Sequence, residues 1–296
     1  MFKGKNHRVG LKSLIPLLLC LTPCISFAQA EPFKVIDNGG NGPYHAIAVT
    51  EDSFKNYVVY RPENMKAAIK KMGKLPLVIF ANGGCNDTSL PYERMLSEIA
   101  SNGYLVIALG AMQQTLDDRQ LNKAPNAMMT AAVDIIRKEV SNEQSRYYQS
   151  VDLDNIAFSG QSCGGAQILA LAATPSIKTY MMFNSGMGDM TMAQASSQSL
   201  KAVHAPIVYL VGGESDVATA NALLDYERIN HTPIAFANHL TAGHSGTFEE
   251  PHGGSFARMA IKWLDWQLKQ KNENAKIFLN NKLAQFPSWT MKAKNF

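Results

Sequence analysis

Cysteine is scarce in this chain: four in 296 residues, with the first two, Cys20 and Cys24, close to the start. A disulfide-dense scaffold is therefore excluded, and the fold has to rest on a hydrophobic core. Long apolar runs are also few. The single candidate, residues 14–27, is broken by Pro16 and Pro23 and is shorter than the roughly 20 apolar residues a membrane helix needs. Excess charge of one sign is lacking too. Four of the 28 basic residues (Lys3, Lys5, Arg8 and Lys12) precede residue 13, and the remaining 24 face 24 acidic ones. A nucleic-acid footprint needs a clustered basic face, so no such partner is expected. Internal repeats, low-complexity tracts and recognisable metal-ligand spacings are absent as well.

The same N-terminal features have a positive reading. A basic start without acids, a short apolar middle and Ala28-Gln29-Ala30 describe a secretory signal peptide over residues 1–30. Cleavage after Ala30 would leave 31–296 as one domain, secreted or periplasmic, with no membrane span. The charge excess belongs to the leader, and the mature part would keep two cysteines, Cys85 and Cys163. Two cysteines in an exported protein form a candidate disulfide, and two separate thiols are the alternative.

Short apolar runs recur along the chain. Residues 46–60 read as a hairpin. Runs at 75–81, 104–109, 156–159, 179–183 and 206–211 read as buried strands, with 233–238 as the last. Between them, 91–101, 125–139, 166–173 and 255–269 have helical character. Alternation of this kind predicts an α/β fold with a mostly parallel central sheet and helices on both faces. In such sheets ligands gather at the carboxyl ends of the strands. Gly83-Gly84, the 160–165 segment and Gly212-Gly213 all follow predicted strands.

Gly160-Gln161-Ser162-Cys163-Gly164 fits the pattern G-x-S-x-G between a strand and a helix. The glycines have a steric reason: a serine on a sharp, strained turn leaves no room for side chains beside it. An ordinary glycine turn is the competing explanation. A serine hydroxyl needs a base within hydrogen-bond reach, and the base needs an orienting acid. Asp216, after the 206–211 strand and its glycine turn, is the candidate acid. Glu214 in the same loop and Asp189 are rivals, while Asp189 and Asp225 also suit a helix cap or a solvated loop. His244, between Gly243 and Ser245-Gly246 after the 233–238 strand, is the candidate base. His252 is its rival and His239 reads as structural. A metal site of His244 and His252 with Glu249 or Glu250 matches no known spacing.

Acyl transfer places negative charge on a carbonyl oxygen, which backbone N–H donors receive. Cys163, after the serine, is one expected donor. Gly84 in the 82–85 loop is the other, with Cys85 next. Both mature cysteines would then stand at the oxyanion hole, and a Cys85–Cys163 bridge would tie the two donor loops together. Met112, Met187, Met190 and Met192, in segments 111–126 and 185–201, are candidates for pocket walls, or for plain packing.

These motifs resemble the α/β-hydrolase superfamily over residues 45–270, most closely its dienelactone-hydrolase, platelet-activating-factor acetylhydrolase and bacterial cutinase-polyesterase branch. The resemblance rests on Gly-Gln-Ser-Cys-Gly-Gly at 160–165, on Asp216 and His244 following in that order, and on the lack of a large lid insertion. It implies an α/β-hydrolase fold, a Ser-His-Asp triad, ester hydrolysis without a cofactor and backbone oxyanion donors. The chain departs from the pattern at Asn82, where a His-Gly loop would carry histidine, and at a glycine where polyesterases carry an aromatic. The expectation is a monomeric esterase acting on a small-molecule or polymeric ester. Polyesterase, feruloyl-type esterase and amidase activities are alternatives on the same fold, and a catalytically silent binding protein is the alternative of another class.

Overall fold

The most apolar strand organises the molecule. In the computed structural model, which describes residues 1–5, 32–115 and 122–296, β4 (Leu75–Ala81) is buried along its entire length. Leu75, Leu77, Ile79 and Ala81 point into one core layer, and Val78 and Phe80 into the other. The two-residue period of a strand thus feeds two cores from one run. Each large side chain so buried contributes roughly 1.5–3 kcal/mol. Residues 6–30 of the expected signal peptide, and 116–121 of one expected pocket wall, lie outside the described residues. The chain divides into Met1–Ala30 and Glu31–Phe296, and the elements below belong to the second unit.

Nine further strands join β4: β1 (Phe33–Lys34), β2 (Ala46–Val49), β3 (Tyr57–Pro62), β5 (Leu105–Leu109), β6 (Val151–Gln161), β7 (Ile177–Phe183), β8 (Ile207–Val211), β9 (Ile234–His239) and β10 (Trp289–Lys294). They run in the order β1-β2-β3-β5-β4-β6-β7-β8-β9-β10. From β5 to β9 all pairings are parallel, and the pairings outside that block are antiparallel. The expected hairpin over 46–60 is the antiparallel pair β2–β3.

Helices cover both faces. α1 (Met65–Met72), α3 (Ala127–Ser141), α4 (Cys163–Ala170) and α5 (Thr219–Arg228) pack with the Leu77–Ile79 layer. α2 (Glu93–Ser101), α6 (Gly254–Lys269) and α7 (Ala275–Leu279) pack with the Phe80 layer. Met259, Ala260, Trp263 and Leu264 form the buried stripe of α6 at the expected helical spacing. Among the described residues, no helix is long and apolar enough to cross a membrane.

Three expectations change. The strand expected over 156–159 runs from Val151 to Gln161. The helix expected from 166 begins at Cys163, directly after the serine, because Ser162 absorbs the whole change of direction. The strand over 233–238 is not the last: the tail returns as β10 and pairs with β9 from Trp289–His239 to Lys294–Ile234. Trp289 and Met291, two residues apart, bury against the Phe256 layer, which fixes the register of this edge strand.

Candidate active site

Ser162 stands between the end of β6 and the start of α4 with φ 52° and ψ −117°. A side chain held at positive φ is strained and persists where its surroundings over-determine it. Here the surroundings are backbone. A Cβ on Gly160 would press on the Gly164 backbone, and one on Gly164 would strike the Ala81 carbonyl. The strand–turn–helix can close only with glycine at both places, which is the steric reason for the motif.

Two loops bring partners to the serine. His244 Nε2 lies 3.0 Å from Ser162 Oγ, and His244 Nδ1 lies 2.7 Å from Asp216 Oδ1. The Asp216 loop follows β8, and the His244 loop follows β9. They can approach because Gly212 has no side chain: a Cβ there would strike the Gly243 carbonyl, whereas the Gly243 N–H donates to Gly212 O at 2.7 Å.

Asp216 is fully buried yet well supplied with donors. Asn184 Nδ2 and the Gly212 N–H donate to Oδ2 at 2.8 and 2.9 Å, and the Ala218 N–H donates to Oδ1 at 3.0 Å. Burial by itself pushes the carboxyl up. The hydrogen bonds from His244, Ala218, Gly212 and Asn184 outweigh it and hold the group below its ordinary value. Asp216 is therefore an anion that accepts from the imidazole Nδ1–H, which leaves Nε2 free to take a proton from Ser162.

The loop after β4 faces the serine from the other side. The Gly83 N–H donates to Tyr92 Oη, and the Cys85 N–H donates to Asn82 O. Cys85 is thus no donor for a substrate, contrary to its place as second choice. The N–H groups of Gly84 and of Cys163 take no acceptor among the described residues. Asn82, where the resemblance would have histidine, is buried and ties the loop to itself and to the end of β5: Nδ2 donates to Asn86 O and Leu109 O. Cys85 and Cys163 form a disulfide with Cα atoms 5.1 Å apart, joining this loop to the first turn of α4.

The rival residues are placed elsewhere. Glu214 is exposed, and Asp189 pairs with Arg228 at 2.7 Å. His252 sits in the turn before α6, 3.5 Å from Glu98, with its N–H donated to Asp37. His239 packs its ring on Phe256 and Trp289. No group of three metal-ligating side chains is assembled among the described residues. Asp225 is neither a cap nor solvated. It is buried within α5 and accepts the N–H groups of Met187 and Gly188 at 2.6 and 2.9 Å, and the Tyr209 hydroxyl at 3.1 Å.

Two residues of this site lie outside the expected set. Asn184 directly follows β7 at φ 42° and bridges the acid loop to the histidine loop, since its Nδ2 also donates to Gly243 O at 2.9 Å. Gln161, the variable residue of the motif, accepts from Tyr92 Oη and donates to His244 O at 3.0 Å. Gln161 ends one parallel strand and Asn184 immediately follows another, which is the signal that could have found them.

Ser162 and His244 stand on the wall between two hollows. One, of about 270 Å³, is lined by Gly83, Gly84, Asn86, Thr88, Ser245 and Glu249 among others. The other, of about 230 Å³, is lined by Met187, Met190, Met192 and Val217, with Ser185 and Asn221. Three of the four expected methionines therefore face the site. Met112 does not: it packs with the Phe80 layer. No protein-family model matches the chain, and a search of curated proteins finds no match either.

Proposed function

We propose that this chain is an exported serine hydrolase of the α/β-hydrolase type that cleaves carboxylic esters through an acyl-enzyme on Ser162. The observation that carries the reading is the continuous hydrogen-bonded line from Ser162 Oγ through His244 to a buried, ionised Asp216. The elements support it in the same sense: a strained serine between strand and helix, an acid after β8, a histidine after β9 and a donor loop after β4. Export is supported by the Cys85–Cys163 bridge, since disulfides persist in oxidising compartments.

The reaction follows from these positions. Ser162 Oγ attacks the ester carbonyl carbon as His244 Nε2 takes its proton. The carbonyl oxygen, now an anion, accepts from the Gly84 and Cys163 N–H groups. The C–O bond to the alcohol breaks, and His244 returns the proton to the departing oxygen. Water then gives its proton to His244 and attacks the acyl carbon. Collapse of the second intermediate frees the acid and restores the Ser162 hydroxyl. Asp216 stays ionised throughout, holding the imidazole tautomer and stabilising the imidazolium.

A fluorophosphonate probe tests the reading, since it reacts only with an activated serine. Stoichiometric labelling of wild type, none of Ser162→Ala, and loss of p-nitrophenyl acetate hydrolysis in that variant are expected. A wild type that takes no label would overturn it.

A further inference from the structure

The two hollows beside Ser162 differ in chemistry, and each is built rather than incidental. The methionine hollow hangs on a buried carboxylate. Asp225 accepts the two successive N–H groups of Met187 and Gly188. Arg228 donates to Gly188 O at 2.6 Å from the same helix. The turn that presents Met187, Met190 and Met192 is therefore fixed before any ligand arrives. Unbranched thioether side chains on such a turn give an apolar surface that adapts to shape. Val217 and Met190 stand exposed at its rim. Nothing in this lining other than Ser185 and Asn221 offers a side-chain hydrogen bond away from the triad and Asn184.

The other hollow is polar. Its floor is the chain in which Gly83 N–H donates to Tyr92 Oη, Tyr92 to Gln161 Oε1, and Gln161 to His244 O. At its rim Ser245 and Glu249 are exposed and have no hydrogen-bond or ion-pair partner among the described residues. The same side continues past Pro91, Phe248 and Glu249 into an adjoining depression that Arg94, Gln114 and Thr115 line. The Ser245 hydroxyl, the Glu249 carboxylate and the Gln114 amide, exposed along this open side, suit hydroxyl groups, while Arg94 is held by Asp37 at 2.8 Å. The Glu249 carboxylate disfavours an anionic group.

The order of events assigns the two sides. The alcohol leaves first, and the deacylating water must reach His244 from the side the alcohol vacates. The polar groove offers water hydrogen-bonding partners along its length, and the mostly apolar methionine hollow offers few. We infer that the substrate is an ester of an apolar carboxylic acid, seated among Met187, Met190 and Met192, with a neutral polyhydroxylated alcohol lying along Ser245 and Glu249. This rests on the esterase reading above and adds the polarity and orientation of the substrate to it.

The test compares kcat/KM for the methyl, glycerol and glucose monoesters of butyric and of benzoic acid, beside the butyl ester of gluconic acid. A gain of tenfold or more from methyl to polyol ester, with both acids, is the expected result. Glu249→Leu should shrink that polyol-to-methyl ratio about fivefold. Met190→Lys should shrink the ratio of butyrate to acetate esters of one alcohol by a similar factor. Methyl esters as good as polyol esters, or butyl gluconate as the best substrate, would overturn the inference. Fluorophosphonate labelling and p-nitrophenyl acetate turnover, run in parallel, separate this failure from failure of the esterase reading: a chain that labels and turns over but shows no polyol gain loses only the present inference.

Discussion

Asn184 donates one amide group to two loops, reaching Asp216 Oδ2 at 2.8 Å and the carbonyl of Gly243 at 2.9 Å. Both partners are acceptors, so the orientation of the amide is fixed. The residue couples the acid to the residue that precedes His244. Two substitutions separate charge from packing. Asn184→Asp places a second carboxylate beside Asp216, which favours the imidazolium of His244. The base must be neutral to act, so the acid limb of kcat/KM should move to higher pH by about one unit. Asn184→Leu removes the donor without adding charge. It should lower kcat by about tenfold without that upward move of the acid limb. pH-rate profiles of the two variants check this, and identical profiles would refute it.

The depressed carboxyl of Asp216 also makes a stability prediction. A group whose folded value lies below its unfolded one stabilises the fold above the unfolded value, about 3.9 for aspartate, and loses that contribution as pH falls through the folded value. Denaturant midpoints in a Ser162→Ala background should therefore fall below about pH 4. Adding Asp216→Asn should flatten that fall while lowering stability near neutrality.

The Cys85–Cys163 bridge spans 78 residues of sequence and joins the two loops that offer the Gly84 and Cys163 N–H groups. Replacing both cysteines with alanine should cost about 2–5 kcal/mol in unfolding free energy. If the bridge also sets donor spacing, kcat should fall by about ten- to a hundredfold while KM changes little, because donors to an oxyanion act on the transition state. Equal kcat in the folded double variant would limit the bridge to stability.

Asp225→Ala would leave the Met187 and Gly188 N–H groups and the Tyr209 hydroxyl without their acceptor. Leaving buried donors unpaired costs about 1–3 kcal/mol each, and part of that is recovered by water entering the gap. A loss of about 2–4 kcal/mol by urea titration is expected, together with a weaker preference for apolar acyl groups.

Removal of residues 286–296 would delete β10 and expose the whole edge of β9. An unpaired apolar edge is a template for association. The shortened chain should show a lower Tm and concentration-dependent aggregation by light scattering. A monodisperse product of unchanged Tm would contradict this account of the tail.

The layered α/β plan was legible because β4 and its parallel neighbours bury both faces, and a strand buried on both faces reads as an unbroken apolar run. The tail was not. In β10 only Trp289 and Met291 are buried, and alternation over so short a stretch, with Lys292 and Lys294 following, carries little signal until β9 is there to pair with it. Likewise α4 was expected three residues late. Glycine at 164 and 165 reads as a turn, and only the close packing against Ala81 and Ser185 shows why the helix needs them.

Local chemistry in the sequence determined the candidates: a serine flanked by glycines, an aspartate and a histidine each beside a glycine turn, and a cysteine directly after that serine. These follow from steric and electronic demands that act over a few residues. Bringing them together took the tertiary structure. Sequence order put Asp216 ahead of Glu214 and His244 ahead of His252; in the fold Asp216 is buried with its hydrogen bonds complete while Glu214 is exposed, and His244, not His252, reaches both Asp216 and Ser162. Asn184, which supplies one of those bonds, is brought to Asp216 by the pairing of β7 with β8. Its role arises from sheet register and has no local signature.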